Sequence, residues 1–161
     1  MKYIIRRLNI GEANLYRIAR LESLRESPEA FTSTYEAALG RTHDSWTTQS
    51  DASATGRDRA IFIVLDDQPV GLAALYRDDD LSNEGELIHV WVSPGYRGGK
   101  LAPDLMNAVF DWAASNSFGV IRAEVTLNNM RALRFYENYG FVRTAPNNSS
   151  VMQTHILTKM V

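Results

Sequence analysis

Cysteine is absent from this chain of 161 residues. Without cysteine the protein can have no disulfide framework, no thiolate nucleophile and no zinc or iron–sulfur site with cysteine ligands, and the absence fits a reducing compartment. No apolar run approaches the roughly 20 residues that a membrane-spanning helix needs. The N-terminal segment 1–7 is too short and too charged for a secretory signal. We therefore expect a soluble, cytoplasmic chain without a membrane partner.

A concentration of positive charge is also missing. The chain has 17 Lys and Arg against 19 Asp and Glu, a formal net charge of -2, and the basic residues form no block. Proteins that bind nucleic acid usually carry a basic patch, so the sequence argues against a nucleic-acid partner. The length suits one hydrophobic core, and we expect residues 1–161 to form a single domain without repeats or linkers.

Short apolar runs bounded by polar turns predict seven strands. These runs lie at residues 3–7, 60–65, 70–76, 87–92, 120–126, 141–144 and 151–159. A four-residue turn at 66–69 would join the second and third strands in a hairpin, and further polar turns are expected at 78–83 and 146–149. The order of strand, helix and strand between residues 87 and 126 predicts a right-handed crossover with parallel strands.

Apolar residues at helical spacing predict four helices. The first covers about residues 11–25, and its expected inward side chains are Leu15, Ile18 and Ala19. The second begins at Pro28, after a capping serine, and would carry on one face Phe31, Tyr35 and Leu39. The others begin at Gly98-Gly99 and at Asn129. The polar segment 41–59 is predicted to be mobile, with at most one short turn around Trp46.

The segment from residue 92 to residue 102, V-S-P-G-Y-R-G-G-K-L-A, takes a buried strand through a Gly-rich turn into a helix. Free amide N–H groups and the helix dipole at such a helix start attract anions, and missing side chains let a phosphate approach the backbone. The spacing matches neither a P-loop nor a dinucleotide fingerprint. It predicts a phosphate or pyrophosphate site, with a tight turn that binds nothing as the alternative.

A second segment, from Asn129 to Phe141, forms the start and body of the last predicted helix. An asparagine at a helix start can cap the helix or present its amide to a ligand. Tyr136 lies on an otherwise apolar helix face. Considered without its context, such a tyrosine is more typical of a core than of a catalytic acid.

Together the two segments resemble the GNAT family of N-acetyltransferases. The family's phosphate-binding signature is Gln/Arg-x-x-Gly-x-Gly/Ala, which Arg97 and Ala102 match. Its later helix carries Asn-x-x-Ala-x-x-Phe/Leu-Tyr-x-x-x-Gly-Phe, and this pattern is complete here at Asn129, Ala132, Phe135, Tyr136, Gly140 and Phe141. The order and separation of the two motifs also fit, and the resemblance covers nearly the whole chain, least clearly before Ala60.

One position departs from the family's signature. Lys100 replaces its central glycine, and Gly99 lies one place earlier. A side chain there could crowd a phosphate or force the turn to adjust around Gly99. Pro103 removes one N–H donor from the first helical turn, and Asp104 competes for the helix dipole. We therefore expect coenzyme A to bind more weakly than is usual in the family, unless the charge of Lys100 offsets these effects.

The resemblance implies a mixed α+β fold with a central, mostly antiparallel sheet of six to seven strands, one splayed parallel strand pair and about four flanking helices. It implies direct transfer of an acetyl group from acetyl-CoA, without a metal, to a primary amine of a small molecule or a protein. A non-catalytic domain that binds or senses acyl-CoA is the alternative, and a longer acyl group is a third reading. A homodimer is expected only because members of the family frequently form dimers.

The resemblance also assigns residues to the cosubstrate. The pantetheine arm would pair with the backbone of Val90, Trp91 and Val92. The pyrophosphate would rest on the turn formed by Arg97, Gly98, Gly99, Lys100, Leu101 and Ala102. Asn129 matches the residue that commonly contacts the pantetheine arm. Tyr136 matches the residue that protonates the departing thiolate, and its phenol is protonated at neutral pH as a general acid must be.

The base and the acceptor site remain open at this stage. Glu86 aligns with the glutamate used by the histone-modifying branch of the family, and His89 or water are alternatives. A regular pleat would place His89 on the opposite face of the sheet from Glu86. The acceptor would lie near an aromatic wall of Phe31, Tyr35 and Trp46, with Asp78-Asp79-Asp80 close by. The other two histidines, His43 and His155, are expected to be structural or surface residues.

Overall fold

The computed structural model describes residues 2–77, 82–147 and 154–161, except for the side chains of 145–147. Seven strands form one sheet in the order β1-β2-β3-β4-β5-β7-β6. The strands are Ile4–Arg7 (β1), Arg59–Asp66 (β2), Gln68–Tyr76 (β3), Glu84–Val92 (β4), Val120–Thr126 (β5), Val142–Asn147 (β6) and Thr154–Met160 (β7). Only β4 and β5 are parallel neighbours among these strands. The predicted mixed fold and its parallel pair are confirmed.

The described part of the chain contains five α-helices and two 3₁₀ turns. The helices are Ala13–Glu26 (α1), Tyr35–Leu39 (α2), His43–Ala52 (α3), Leu101–Ser115 (α4) and Met130–Asn138 (α5), and the 3₁₀ turns are Pro28–Ala30 and Pro94–Tyr96. Within the described ranges, no helix combines the length and apolar character needed to cross a bilayer. The described part of the structure has one helix more than the four that the sequence predicts, and the additional helix is α3.

The sheet separates two apolar cores, one on each face. On the first face, α4 buries a stripe that follows the predicted spacing, at Leu101, Leu105, Met106, Val109 and Ala113, and α5 adds Leu133. On the second face, α1 and α3 cover the sheet with Tyr16, Ala19, Leu24 and Trp46. Each fully buried large apolar side chain contributes on the order of 1.5–3 kcal/mol to folding, so the two cores fix the helices against the sheet.

Strands β4 and β5 separate after a short paired section. Their pairing runs from Glu84 opposite Val120 to Glu86 opposite Arg122 and then ends. On its other edge β4 stays paired with β3 as far as Val92, but with an irregularity in which two residues, His89 and Val90, face one residue of β3. Such a bulge bends its strand and increases its twist. The result is a cleft between the second half of β4 and β5.

The prediction for residues 41–59 is wrong, because the segment contains helix α3. Thr42 caps this helix, with its hydroxyl accepting a hydrogen bond from Ser45 N at 3.1 Å, and Asp44 lies in the first turn. The only large apolar side chain that α3 buries is Trp46. A helix with so narrow an apolar face shows almost no periodicity of apolar residues in its sequence. The sequence pattern therefore suggested a loop.

The predicted helix from Pro28 to Leu39 is interrupted. A 3₁₀ turn at Pro28–Ala30 is followed by extended backbone at Phe31 (φ -128°, ψ 150°), and α2 begins only after Thr34, whose hydroxyl accepts from Ala37 N. The three predicted face residues therefore do not share one helical face, and Leu39 is 48% exposed. A serine and threonine run next to a capping residue favours such a break.

Smaller corrections concern α1 and the turns. In α1, Ile18 is 54% exposed and Tyr16 is fully buried instead, because the face against the sheet runs through Tyr16, Ala19 and Arg20. The hairpin between β2 and β3 is tighter than predicted: Asp66 pairs with Gln68 across Asp67, which has φ 62°. Strand β4 begins three residues earlier than predicted, at Glu84.

At the other end of the chain, Pro146 and Asn147 belong to β6 rather than to the predicted turn at 146–149. The rest of that turn, 148–149, lies outside the described residues. So do Asp78, Asp79 and Asp80, and the expected proximity of these aspartates to the acceptor is therefore not tested.

Candidate active site

The cleft begins where β4 leaves β5, and the side chains of β4 at residues 90–92 pack into the two cores. Val90 and Val92 pack toward the α4 face. Trp91 is 3% exposed on the other face, where its Nε1 donates a hydrogen bond to Glu26 Oε1 at 2.9 Å. Because these side chains are used for packing, any ligand in the cleft would meet the β4 backbone along its free edge. The predicted backbone contact of a pantetheine arm with residues 90–92 stays a prediction, and this arrangement is compatible with it.

The turn that follows β4 leaves room for a phosphate at its glycines. Gly98 has φ 80°, a conformation that L side chains rarely adopt. A Cβ added there would meet no atom within 4 Å, and one added at Gly99 would meet only the Tyr96 carbonyl oxygen at 3.8 Å. The first hydrogen bond of α4 runs from Asp104 N to Lys100 O at 3.0 Å. The amides before it therefore lie at the open helix start, where anions bind.

Lys100 and Asp104 differ from what the sequence suggested. Lys100 has ordinary right-handed backbone (φ -87°, ψ -11°) and precedes α4, with its side chain exposed. The left-handed residue of the turn is Gly98, and the predicted effect of Lys100 on phosphate binding stays a prediction. Asp104 accepts a hydrogen bond from the Tyr3 hydroxyl at 2.7 Å, and this bond raises the pKa of Tyr3. Leu101 is buried beneath the turn and Ala102 is half-buried.

Arg97, the first residue of the phosphate signature, is held by protein groups. Its Nε donates to Val92 O at 2.8 Å, and its Nη2 contacts the carboxylate of Glu26 at the end of α1. Burial would raise the pKa of Glu26, but hydrogen bonds from Ser27, Trp91 and Arg97 keep it below the ordinary value. Glu26 thus joins α1, β4 and the glycine turn, a role that no sequence motif signalled.

We expect Glu26→Gln to weaken coenzyme A binding by about 3- to 10-fold, because the turn loses the charged partner that orients Arg97. Loss of hydrogen bonds to a charged group should also lower the free energy of unfolding by about 1–2 kcal/mol. Titration calorimetry and denaturant unfolding would measure the two effects. Glu22→Gln is the control, since Glu22 pairs with Arg25 at the surface of the same helix. Equal behaviour of the two variants would contradict this role for Glu26.

Tyr136 lies on α5 on the α4 side of the sheet. Its ring packs against Phe135 and Phe141, with centroids 5.3 and 5.2 Å away, and burial raises its pKa. Its hydroxyl makes no hydrogen bond to another described residue, and its role as the proton donor stays a prediction. Asn129 caps α5, its Oδ1 accepting from Ala132 N at 3.2 Å. The capping alternative for Asn129 therefore holds, and its amide NH₂ group remains available as a donor.

Glu86 lies at the closed end of the cleft, on the last residue pair of β4 and β5. Its carboxylate accepts hydrogen bonds from Arg122 Nη2 and from the Tyr76 hydroxyl, both at 3.3 Å. A surface pocket of about 290 Å³ at this end of the sheet is lined by these three residues together with Glu84 and Arg77. The carboxylate of Glu86 is therefore already engaged by two donors, which leaves it less open to direct contact with an amine than its alignment suggested.

His89 does not face away from Glu86, contrary to the prediction from a regular pleat. The bulge, at which His89 has φ 59°, turns its ring toward α1, where Nδ1 is 3.4 Å from the Tyr16 hydroxyl. Burial, followed by the charges of Arg20 and Arg41, lowers the pKa of His89 to about 3. The imidazole is therefore neutral at physiological pH. Both base candidates lie on the α1 face of the sheet.

The depressed pKa of His89 predicts a loss of stability in acid. Its unfolded pKa is about 6.5, so below that pH the unfolded chain takes up a proton that the folded chain refuses until about pH 3. Stability should fall as the pH drops from 6.5 toward 3, by about 2 kcal/mol at pH 5. Denaturant unfolding at pH 7.5 and pH 5 would measure this. His89→Gln should remove that part of the pH dependence, whereas the exposed His43→Gln should keep it.

The expected aromatic wall is divided between two places. Trp46 is 2% exposed and meets Tyr16 edge-on at 5.5 Å, so it is a core residue. Phe31 lies over the guanidinium of Arg20 at 4.7 Å. Tyr35 lines a separate cavity of about 430 Å³ between α1 and the β2–β3 turn. His43 is exposed and His155 half-buried, and within the described ranges no three acidic or histidine side chains cluster as metal ligands do.

Comparisons with known proteins identify the family of the chain. Residues 18–141 match the family model described as the acetyltransferase (GNAT) family. The chain belongs to this family. Over 78 residues it is 40% identical to uncharacterized N-acetyltransferases of Mycobacterium bovis and Mycobacterium tuberculosis. That match covers 47% of this chain and 47% of each relative, so it spans about half the length of the curated relatives.

Several solved structures share the whole fold at low sequence identity. The GNAT-family acetyltransferase of Streptococcus pneumoniae superposes with a TM-score of 0.84 at 14% identity, covering 99% of both chains. The PaiA N-acetyltransferase of Thermoplasma acidophilum, in complex with coenzyme A, gives 0.77 at 18% identity over 100% of both. The spermidine N-acetyltransferase of Vibrio cholerae, in complex with CoA and spermine, gives 0.74 at 17% identity over 98% of this chain and 95% of that one.

Proposed function

We propose that this protein is an acetyl-CoA-dependent N-acetyltransferase that transfers an acetyl group directly to a primary amine of a small molecule or a protein. The observation that carries the proposal is the continuity of the cleft with the glycine turn. The free edge of β4 leads directly into the helix start at Gly98 and Gly99, where a Cβ would meet almost nothing. Such a path suits a donor with a long arm and a diphosphate.

The chain's own residues can hold such a donor in three parts. The amides of residues 98–102 would bind the diphosphate, since they lie at a helix start beside two glycines at which a Cβ would meet almost nothing. The β4 backbone at residues 90–92 would pair with the pantetheine amides, and the NH₂ group of Asn129 would donate to the same arm. A donor bound in this way would have its thioester near the bulge at His89, between Tyr136 on one face of the sheet and α1 on the other.

In the proposed reaction, the amine nitrogen attacks the thioester carbonyl carbon, so that a C–N bond forms and the C–S bond breaks. The departing thiolate takes a proton from the Tyr136 hydroxyl, and the amine nitrogen loses one. Burial raises the pKa of Tyr136, so the phenol keeps its proton at neutral pH. The same low-dielectric surroundings disfavour the thiolate, which makes the proton transfer between the two groups feasible.

For the base, we propose water, with Glu86 as the carboxylate that accepts the proton through it. Glu86 is already bonded to Arg122 and Tyr76, which limits direct contact with an amine. His89 is a weak base because its pKa is lowered to about 3. In this scheme Glu86→Gln lowers the rate less than loss of Tyr136 does.

The proposal is tested by thiol release from acetyl-CoA across a broad panel of amines. We expect saturable release with at least one class of amine. Binding of coenzyme A without release above background from any amine would instead indicate a domain that binds acyl-CoA without catalysis. A larger rate with longer acyl-CoAs would identify a different acyl donor for the same chemistry.

A further inference from the structure

A cluster of polar groups lies under α1 beside the cleft, and its charged members are both arginines. Arg20 is 3% exposed and Tyr16 is fully buried, and they are one helical turn apart on α1. Arg41 and Trp46 come from the start of α3, and His89 from the β4 bulge. Tyr16 and His89 are in contact, so the cluster reaches the point at which β4 leaves β5.

Arg20 has no acidic partner among the described residues. Its guanidinium makes one long hydrogen bond, from Nη1 to Ser23 Oγ at 3.4 Å, and lies 4.7 Å from the Phe31 ring centroid. Burial lowers its pKa to about 10, so it remains charged at neutral pH. A buried cation normally requires a closely bonded anion to compensate its desolvation.

Arg41 also has no acidic partner among the described residues. It stacks on Trp46 at 3.8 Å and donates to neutral groups only, the hydroxyl and carbonyl of Ser45 and the Gln49 amide oxygen at 2.7 Å. The other charged member of the cluster is Arg20, whose pKa is lowered in part by the charge of Arg41. Trp46 Nε1 adds a buried N–H donor without a partner in the described ranges. The cluster thus combines two positive charges with an unpaired N–H donor, and among the described residues it contains no anion.

The remaining buried arginine provides a contrast. Arg77 is also 3% exposed, but its Nη2 donates to the Arg57 carbonyl at 2.8 Å and its Nη1 to the Ser82 carbonyl at 3.4 Å. Arg77 thereby fixes two loop backbones, which is a structural function. Arg20 bonds to no loop carbonyl, and its described side-chain contacts are the Ser23 hydroxyl and the Phe31 ring. Its buried charge therefore lacks the carbonyl partners that Arg77 has.

We propose that Arg20 and Arg41 bind an anionic group of the acceptor, and that the acceptor therefore carries a carboxylate in addition to its amine. Phe31, Arg41 and His89 keep partial exposure, so an anion can reach the two guanidinium groups from that side. The carboxylate would supply the missing charge, and the amine would point toward the thioester at the bulge. This inference rests on the proposed transfer to an amine and narrows its substrate class.

The test uses matched pairs of amines that differ only in this charge. Amino acids are compared with their carboxamides, and 4-aminobutyrate with 4-aminobutanamide, each added to the protein saturated with coenzyme A. Binding is followed by thermal shift and calorimetry, because a ligand raises the melting temperature by mass action whether or not it reacts. We expect at least one carboxylate to bind about tenfold or more tightly than its carboxamide, as hydrogen bonds to charged groups allow.

Two variants identify the residue responsible. Arg20→Met should abolish the preference for carboxylate and leave coenzyme A binding unchanged. It should not lower the melting temperature, because it removes an uncompensated buried charge. Arg20→Lys should retain part of the preference. Arg77→Met is the control: it should lower the melting temperature and keep the preference, since it breaks bonds to loop carbonyls.

The outcomes separate this inference from the proposed function. If no carboxylate binds better than its carboxamide, or if spermine binds better than every carboxylate, the anion site is wrong even when thiol release occurs. If a carboxylate binds with the expected preference but no amine yields free thiol, the anion site stands and the catalytic proposal fails. If Arg20→Met keeps the preference, Arg20 is not the binding group and the inference is overturned.

Discussion

Tyr136→Phe is expected to lower the turnover number by about 10²- to 10³-fold, which is the usual contribution of a general acid. The change removes only the hydroxyl, and the ring keeps its packing against Phe135 and Phe141. The Michaelis constant for acetyl-CoA should change by less than about threefold, because the hydroxyl acts mainly when the thiolate departs. Steady-state kinetics with the best amine of the panel would measure both constants.

Tyr139→Phe is the matched control for this variant. Tyr139 follows α5 by one position, its ring also packs on Phe135, at 5.1 Å, and it too is half-buried. This variant should keep nearly full activity. If Tyr136→Phe also kept it, the thiolate would have to obtain its proton elsewhere, from water or from a group not named above. A collapse of the melting temperature in Tyr136→Phe would point to a packing role instead.

Gly99→Asp is expected to raise the dissociation constant for coenzyme A by about 10- to 100-fold. The backbone at Gly99 does not have a positive φ, and its Cβ would meet only one atom, at 3.8 Å, so the fold should accept the side chain. The added carboxylate would stand beside the bound diphosphate and repel it. Calorimetry with coenzyme A would measure the change, and the melting temperature of the free protein should stay within about 2 °C.

Gly95→Asp controls for the added charge. Gly95 lies in the 3₁₀ turn before the glycine pair, and a Cβ there also meets nothing within 4 Å. Its amide precedes the helix start, so an aspartate at this position should weaken coenzyme A binding by less than about threefold. Equal weakening in both variants would mean that the diphosphate binds elsewhere and responds only to overall charge.

The sequence predicted most of the sheet and both motif segments because those elements follow strong physical periods. The α4 stripe repeats apolar residues at helical spacing, and β4 and β5 are apolar runs bounded by clear turns. The glycine turn and the α5 cap could be placed because both depend on local backbone chemistry. Helix α4 starts at Leu101 and not at the predicted Gly98-Gly99, because Gly98 takes a left-handed conformation that a right-handed helix does not contain.

The sequence could not predict features that depend on tertiary contacts. Helix α3 has a narrow apolar face, so its stability comes from the Thr42 cap and from a single buried tryptophan. The orientation of His89 depends on a bulge that no residue pattern marks, and this bulge reversed the expected side of the sheet. No sequence pattern marks Arg20 as buried, and only the structure shows that it lies in the interior without an acidic partner among the described residues.

The most direct test of the central claim is a crystal structure of the protein grown with coenzyme A. We expect the diphosphate oxygens within about 3.2 Å of amide nitrogens between Gly98 and Ala102, as hydrogen bonds require. The pantetheine arm should lie in the cleft between β4 and β5, with its sulfur nearer to the Tyr136 hydroxyl than to Glu86. Coenzyme A bound away from the glycine turn, or a cleft closed by protein side chains in the presence of saturating coenzyme A, would contradict it.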